Sequence, residues 1–304
     1  MMFDGDITAL LEWEALGGSP LLGCSRLLAH PRFQAAARAL AKNMLDICVD
    51  NGLRGIFKDA GRYVAAMWAL YLHGAGELTL PALKRICLRS GLLSPGRARS
   101  VLLYLLHLRY IEPAKDESRC GAVRYVPTAS FHSAWASHLR AAVSAAAIIE
   151  PGAKHVLDAL DRPEVIDTLN RIQSEGLLGA SRASQQDSPY FRIFMHRHAG
   201  SQIAWMLMTS PHGATDFPPR EPVSLPVASI ARRFEISRVH VRRLFDDARA
   251  EGLIEADERG AICFTDGAGA FIRHIYAAQL VQLLASTAGT LRARPELHSQ
   301  GVPT

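Results

Sequence analysis

The sequence has few cysteines and no long apolar run, and both absences narrow what the chain can be. It has 304 residues, of which only five are cysteine, and no two of them form a CxxC pair. Reduced thiols in a cytoplasmic protein are therefore expected. The N-terminus carries Asp4 and Asp6 where a secretory signal would have basic residues. The longest apolar run, VLLYLLHL from Val101, is far too short to cross a bilayer, so no membrane partner is expected.

Patterns typical of enzymes and metal sites are absent as well. The 12 histidines include no HExxH string, and the scattered cysteines supply no paired ligands for zinc. The sequence shows no Ser/His/Asp order, no Gly-rich phosphate loop and no paired carboxylates of the kind used in catalysis. It therefore predicts a protein that is not an enzyme and that requires no metal or cofactor.

The composition is that of a folded protein with an uneven distribution of positive charge. Hydrophobic residues make up 49% of the chain and charged residues 21%, which argues against a disordered protein. The net charge of +5 and the isoelectric point of about 9.1 permit a polyanionic partner. The segment from Pro81 to Ile111 has six Lys or Arg and no Asp or Glu, so it is the first candidate for contact with such a partner.

One stretch of the chain nearly repeats another. Leu93–Ile111 reads LSPGRARSVLLYLLHLRYI, and Ile236–Ile254 reads ISRVHVRRLFDDARAEGLI. Each begins with an apolar residue and a serine, places basic residues in the next turn, and continues as one helix to an apolar step. The likeness extends to both sides and predicts an N-terminal extension (residues 1–19), a first repeat (20–150), a second repeat (151–290) and a flexible C-terminal tail (291–304).

Both repeats predict the same order of secondary structure: helix, helix, short strand, helix, helix, hairpin, helix. The strings LTLP, ending at Pro81, and VSLP, ending at Pro226, predict a short strand followed by a helix that starts at proline. Ser94 and Ser237 are expected to cap the next helix, because a serine hydroxyl accepts from its free N–H groups. The predicted fold is mainly α with small β-hairpins: tandem winged helix-turn-helix domains joined by long helices of the dimerisation type.

The chain resembles the MarR family of bacterial transcriptional regulators. The resemblance lies in Leu225–Phe264, LPVASIARRFEISRVHVRRLFDDARAEGLIEADERGAICF, with a looser version at Leu80–Val126; GntR-like and Crp-like regulators use similar strings. It implies a sequence-specific regulator that binds double-stranded DNA through winged helices, with the first and last helices forming a dimer. Two copies in one polypeptide imply an internal pseudo-dimer, either monomeric or forming a further homodimer.

The residues expected to contact DNA are basic or hydroxyl side chains around the second helix of each unit. That helix enters the major groove by its N-terminal end, where arginine can bond guanine or neutralise phosphate. In the first repeat the candidates are Lys84, Arg85, Ser94, Arg97, Arg99, Ser100, Arg119 and Arg124. In the second repeat they are Arg232, Ser237, Arg238, His240, Arg242, Arg243 and Arg259. Solvated surface charge is the alternative for each arginine, and simple capping the alternative for each serine.

Two further expectations concern an effector and competing functions. The resemblance implies a cleft for a small aromatic effector, for which Trp68, Tyr71, Trp205 and Met206 are candidates; ordinary core packing is the alternative. A plasmid replication initiator also carries two winged helices in one chain, and a winged-helix module that binds protein is the rival outside DNA binding. The basic first turns in both repeats favour DNA.

Overall fold

The computed structural model of the chain describes residues 4–50, 52–91, 93–115, 122–179, 188–210 and 215–297. These residues are mainly helical, with two small antiparallel hairpins, which confirms the coarse fold class predicted from the sequence. Among the helices described, none is both long enough and apolar enough to cross a membrane.

The first half of the chain begins with three helices and continues through a hairpin to a long helix. Its elements are α1 (Asp4–Gly17), α2 (Pro20–Leu28), α3 (Phe33–Asp50), α4 (Ala60–Gly74), α5 (Leu80–Arg89), α6 (Pro95–His107), β1 (Ile111–Pro113), β2 (Tyr125–Pro127) and α7 (Ala129–Ile149). Local signals set several of these starts. Thr79 accepts a hydrogen bond from the N–H of Ala82 at 3.2 Å at the start of α5, and proline occupies the first turns of α5 and α6.

The second half follows with α8 (Lys154–Asp158), α9 (Pro163–Gly179), α10 (Gly200–Thr209), α11 (Val227–Phe234), α12 (Arg238–Ala250), β3 (Ile254–Ala256), β4 (Ile262–Phe264) and α13 (Asp266–Ala293). From α3 and from α9 onward, the two halves have the same order of elements. The short strand expected before α5 and before α11 is reduced to a single bridge in each half, at Thr79 and at Val223.

The two halves also match in the way their helices begin and end. Ser94 and Ser237 cap α6 and α12, and Thr128 and Thr265 cap α7 and α13, each through its hydroxyl and the N–H three residues on. After α6 and α12 the chain turns through left-handed backbone, at Arg109 (φ 56°) and at Gly252 (φ 66°). These equivalent positions align α6 with α12 residue by residue, with an offset of 143 positions between Ser94 and Ser237.

The halves exchange helices and share one core. Helix α3 packs against α10 of the second half as well as against α7, and α9 packs against α4 of the first half as well as against α13. Helix α2 lies on α13, and α8 lies on α7. The buried Asn170 of α9 joins both halves, because it accepts from Trp135 Nε1 at 3.1 Å and donates to the carbonyl of Met67 at 3.3 Å. Neither half therefore has a complete core of its own.

The backbones of the two halves meet directly at what we call the junction, residues 57–59 and 198–201. The N–H of Ala199 donates to the carbonyl of Lys58 at 2.8 Å, and the Ser201 hydroxyl donates to the carbonyl of Phe57 at 3.1 Å. Beside the junction, His138 Nε2 and the Tyr63 hydroxyl are 3.1 Å apart; His138 is buried and Tyr63 half-buried. Burial lowers the pKa of His138 to about 3 and raises the pKa of Tyr63 to about 12, so both stay neutral at pH 7.

The first and last described segments, α1 and residues 291–297, pack against the rest of the fold. The N-terminal extension contains α1, which packs along α13 and buries Leu10 and Trp13 completely. The sequence predicts a flexible tail from residue 291; in the described part of this segment α13 continues to Ala293 and Leu297 is buried. Both segments are held by buried apolar side chains that pack against the rest of the fold. The local sequence pattern does not indicate such long-range contacts.

Candidate nucleic-acid interface

Helix α12 has a buried apolar face and an exposed basic one. Val241, Leu244, Phe245 and Ala248 are buried, at the spacing of one helical stripe. Ser237 accepts from the N–H of His240 at 3.1 Å and fixes the start of the helix. Because one side is committed to the core, most of the remaining side chains of the first turns are exposed, while His240 is half-buried.

Arginines dominate the exposed face of these first turns. Arg238, Arg242 and Arg243 are exposed, and none of them forms a salt bridge with any residue that the structure describes. Arg232 on α11 and Arg259 at the turn of the hairpin β3–β4 are also exposed and equally without a described acidic partner. The five guanidinium groups are therefore exposed positive charges that no described carboxylate holds in a salt bridge.

The acidic residues of the same helix are placed further along and are already paired. Asp247 accepts from Arg197 at 2.5 Å, and Glu251 at the helix end accepts from Arg192 at 2.6 Å. Asp246 lies 3.4 Å from Arg249. The arginines in these pairs come from residues 192–197 or from the last turn of α12. The acidic residues therefore do not form salt bridges with Arg238, Arg242 or Arg243.

Helix α6 has the same framework but a different exposed face. Ala98, Val101, Leu102 and Leu105 are buried, and Ser94 accepts from the N–H of Arg97 at 3.3 Å. Arg99 is exposed and has no described acidic partner. The Ser100 hydroxyl donates back to the carbonyl of Gly96 at 3.1 Å. One turn further on, Leu103 is 51% exposed, so the face is less polar than that of α12.

Arg97 is held by an acidic residue that the sequence analysis did not single out. Its guanidinium donates to Asp59 Oδ1 at 2.9 Å. Asp59 is 5% exposed, caps α4 through the N–H of Arg62 at 2.9 Å, and also lies 3.4 Å from the Arg62 guanidinium. The capping role was readable from sequence, since Asp59 directly precedes the Ala-Gly pair at which α4 begins. Its partner Arg97, 38 residues away, was not.

The equivalent contact in the second half has the same position and different chemistry. His240 takes the place of Arg97, and His198 takes the place of Asp59. His240 Nε2 lies 2.8 Å from the carbonyl of His198, and the two rings are 6.4 Å apart. Desolvation lowers the pKa of His198, with Lys58 adding to the effect. The first turns of α6 and α12 are thus both anchored at the junction.

The remaining predicted DNA-contact residues flank these two helices. Lys84 is half-buried and Arg85 exposed on α5, and neither has an acidic partner among the residues described. Arg124 is half-buried beside the hairpin β1–β2, where it bridges to Thr79. Arg119 lies outside the described residues. The N–H of Arg259 donates to Asp257 Oδ1 at 2.9 Å, which shapes the turn and leaves the guanidinium outside.

Three of the four residues predicted to line an effector cleft have ring contacts in the structure. Trp68 is fully buried and packs edge-on against Tyr71, with ring centroids 6.0 Å apart. Trp205 instead faces Phe57 at 6.3 Å. Trp68 thus follows the alternative of core packing, whereas Trp205 is half-buried, and the shared cleft stays a prediction. An open groove of about 950 Å³ exists between α3 and α13, and its lining includes Arg38, Lys42, Arg273 and His274.

The structure also shows the surroundings of the Cys87 thiol and the arrangement of potential metal ligands. Cys87 is fully buried, and desolvation raises its pKa to about 12; its thiol stays protonated and unreactive at neutral pH. Within the described ranges no three His, Cys, Asp or Glu side chains are grouped so that they could hold a metal ion.

Comparisons with known proteins find no counterpart for this arrangement. No family model matches the sequence, no curated protein matches it, and no solved structure matches the fold. The residues of the chain itself are therefore the basis for a proposed function.

Proposed function

We propose that the chain is a sequence-specific transcriptional regulator that binds double-stranded DNA, with one winged helix-turn-helix in each half. Helices α5 and α6 with the hairpin β1–β2 form the first unit, and α11 and α12 with β3–β4 form the second. The plan is that of a MarR-like dimer contained in one polypeptide. In such units the second helix enters the major groove and the hairpin lies beside the neighbouring backbone.

The observation that carries the proposal is the unpaired positive charge at the start of α12. An arginine that is already in a salt bridge must give up its partner to bind a phosphate, whereas an unpaired one only loses water. Arg238, Arg242 and Arg243 are exposed on one side of a helix whose opposite side is buried. The acids of this helix are paired elsewhere, so no described carboxylate competes with DNA for these groups.

The exchange of helices between the halves supports binding by both units together. Helices α6 and α12 are each anchored through their first turns to the junction, and the junction is closed by backbone hydrogen bonds. The spacing between the two helices is therefore set by the folded core and needs no second chain. A duplex that spans both units would contact the basic residues of each.

The test is the salt dependence of binding to a random-sequence duplex, measured by fluorescence anisotropy. Each phosphate neutralised contributes about 0.9 to the slope of log affinity against log salt. If the protein makes four such contacts, raising the salt from 50 to 200 mM should weaken binding about a hundredfold. Arg85→Ala and Arg232→Ala should each reduce the slope by about one.

The matched control is Arg171→Ala, which removes an exposed arginine that is already paired with Glu175 on α9. This variant should bind with the slope of the unaltered protein. Absence of binding at 50 mM salt, or binding that does not change with salt, would refute the proposed function.

A protein-binding role for the first unit has one observation in its favour. Leu88 on α5 and Leu103 on α6 are 62% and 51% exposed, and large exposed apolar side chains are typical of protein contacts. If this unit binds protein in place of DNA, Arg85→Ala should leave the salt slope unchanged while Arg232→Ala still reduces it.

A further inference from the structure

We infer that the protein reads base sequence with α12 alone, and that α6 holds the second half of the site through phosphates. The target would then be a duplex with one conserved half-site beside a stretch of unconstrained sequence. This inference rests on the proposed function and makes it specific, because it assigns different tasks to two units of the same fold.

The first step is the composition of the α12 face. Arg238 and Arg242 are one helical turn apart, as are Val239 and Arg243, so the four share the exposed side of the first turns. Val239 is 53% exposed, and its methyl groups suit contact with the methyl group of thymine. The guanidinium groups can each bond N7 and O6 of guanine. This set can distinguish bases at several positions.

The second step is the set of residues at the same positions on α6. The offset of 143 that aligns Ser94 with Ser237 places Pro95, Gly96, Arg99 and Ser100 there. Gly96 has no side chain, and a Cβ added to it would meet nothing within 4 Å. The Ser100 hydroxyl is used by the carbonyl of Gly96. Only Arg99 has the length and free donors to reach a base edge.

The third step is what surrounds each helix. On α5, Leu88 comes two residues after the buried Ile86, while on α11 Arg232 comes two residues after the buried Ile230. On α6, Leu103 replaces the acidic Asp246 of α12. The α6 side retains Lys84 and Arg85, whose position before the second helix suits backbone contact. Charge directed at the backbone, with a single side chain long enough to reach a base edge, gives affinity with little sequence preference.

The experiment is selection of bound sequences from a random duplex library, using the full chain at physiological salt. The expected result is a motif conserved on one side only, with guanines among the conserved bases. Arg242→Ala and Arg243→Ala should each reduce the preference for the selected duplex over a scrambled one by roughly tenfold. Arg99→Ala should weaken binding to both duplexes equally.

A gain-of-function variant tests the same inference without depending on loss of structure. The double substitution Gly96→Val and Ser100→Arg gives α6 two of the side chains that α12 presents. Because both positions are exposed, with open space at Gly96, the variant should fold normally and select a second conserved half-site.

If the unaltered protein selects a motif with two conserved half-sites, the inference is overturned while the proposed function is supported. Failure to enrich any sequence, with salt-dependent binding retained, would also overturn it; failure to bind any duplex would instead refute the proposed function.

Discussion

Replacement of Asp59 should destabilise the protein more than loss of any surface carboxylate, because this residue combines a helix cap with two ion pairs. The cap on α4 contributes about 1 kcal/mol. Arg97 and Arg62 approach Asp59 at 2.9 and 3.4 Å, but their side chains are 50% and 33% exposed, so each pair contributes about 0.5 kcal/mol after screening. Asp59→Ala should therefore lower the free energy of unfolding by about 2 kcal/mol.

Urea unfolding at pH 7, followed by circular dichroism, measures this loss. Asp59→Asn keeps an oxygen for the cap and removes the charge, so about half of the destabilisation should remain. The control is Asp46→Ala, which breaks the exposed pair with Lys42 and should change stability by less than about 0.5 kcal/mol. If Asp59→Ala is no worse than this control, the junction does not depend on Asp59 and the reasoning fails.

Three further predictions concern stability. Arg109→Gly should stabilise the protein by about 0.5–1 kcal/mol by relieving left-handed backbone, and Gly252→Ala at the equivalent turn should destabilise it by about 1 kcal/mol; a lower melting temperature for Arg109→Gly or a higher one for Gly252→Ala would contradict this. Because the pKa of His138 is lowered to about 3, the unfolded chain alone takes up this proton as pH falls below about 6.5. Stability should therefore drop by about 2 kcal/mol between pH 7 and 5, and a His138→Leu variant that keeps the full drop would exclude this cause. Gly200→Ala places a Cβ 2.5 Å from the Phe194 carbonyl and should lower the melting temperature more than Gly61→Ala, whose nearest contact is at 3.1 Å.

Much of the local structure could be predicted because its signals lie within a few residues of each other. Serine followed by a basic turn predicted the starts of α6 and α12, and proline after a short apolar string predicted the start of α5. The apolar residues from Val241 to Ala248 follow the spacing of one helical stripe, and they form the buried face of α12. In each case a cap or a helical period depends only on neighbouring positions.

The contacts that bring the halves together could not be predicted from such signals. Asp59 meets Arg97, and Ala199 meets Lys58, through a fold in which helices are exchanged between the halves. Trp68 and Trp205 are both candidates for the effector cleft, but an offset of 139, which aligns Ala60 with Ala199, places Trp205 opposite Ala66. The ring of Trp68 contacts Tyr71, and that of Trp205 contacts Phe57.

The passage from α7 through Pro151–Ala153 into α8 makes the two halves parts of one gene product. In an assembly of identical subunits, every substitution appears on both sides of the axis at once, so a change that helps one side must be tolerated by the other. Here a substitution appears once. Gly96 and Val239, or Asp59 and His198, could therefore diverge independently while the shared core kept their backbones in equivalent places. Covalent linkage thus permits the chemical asymmetry that the two faces display.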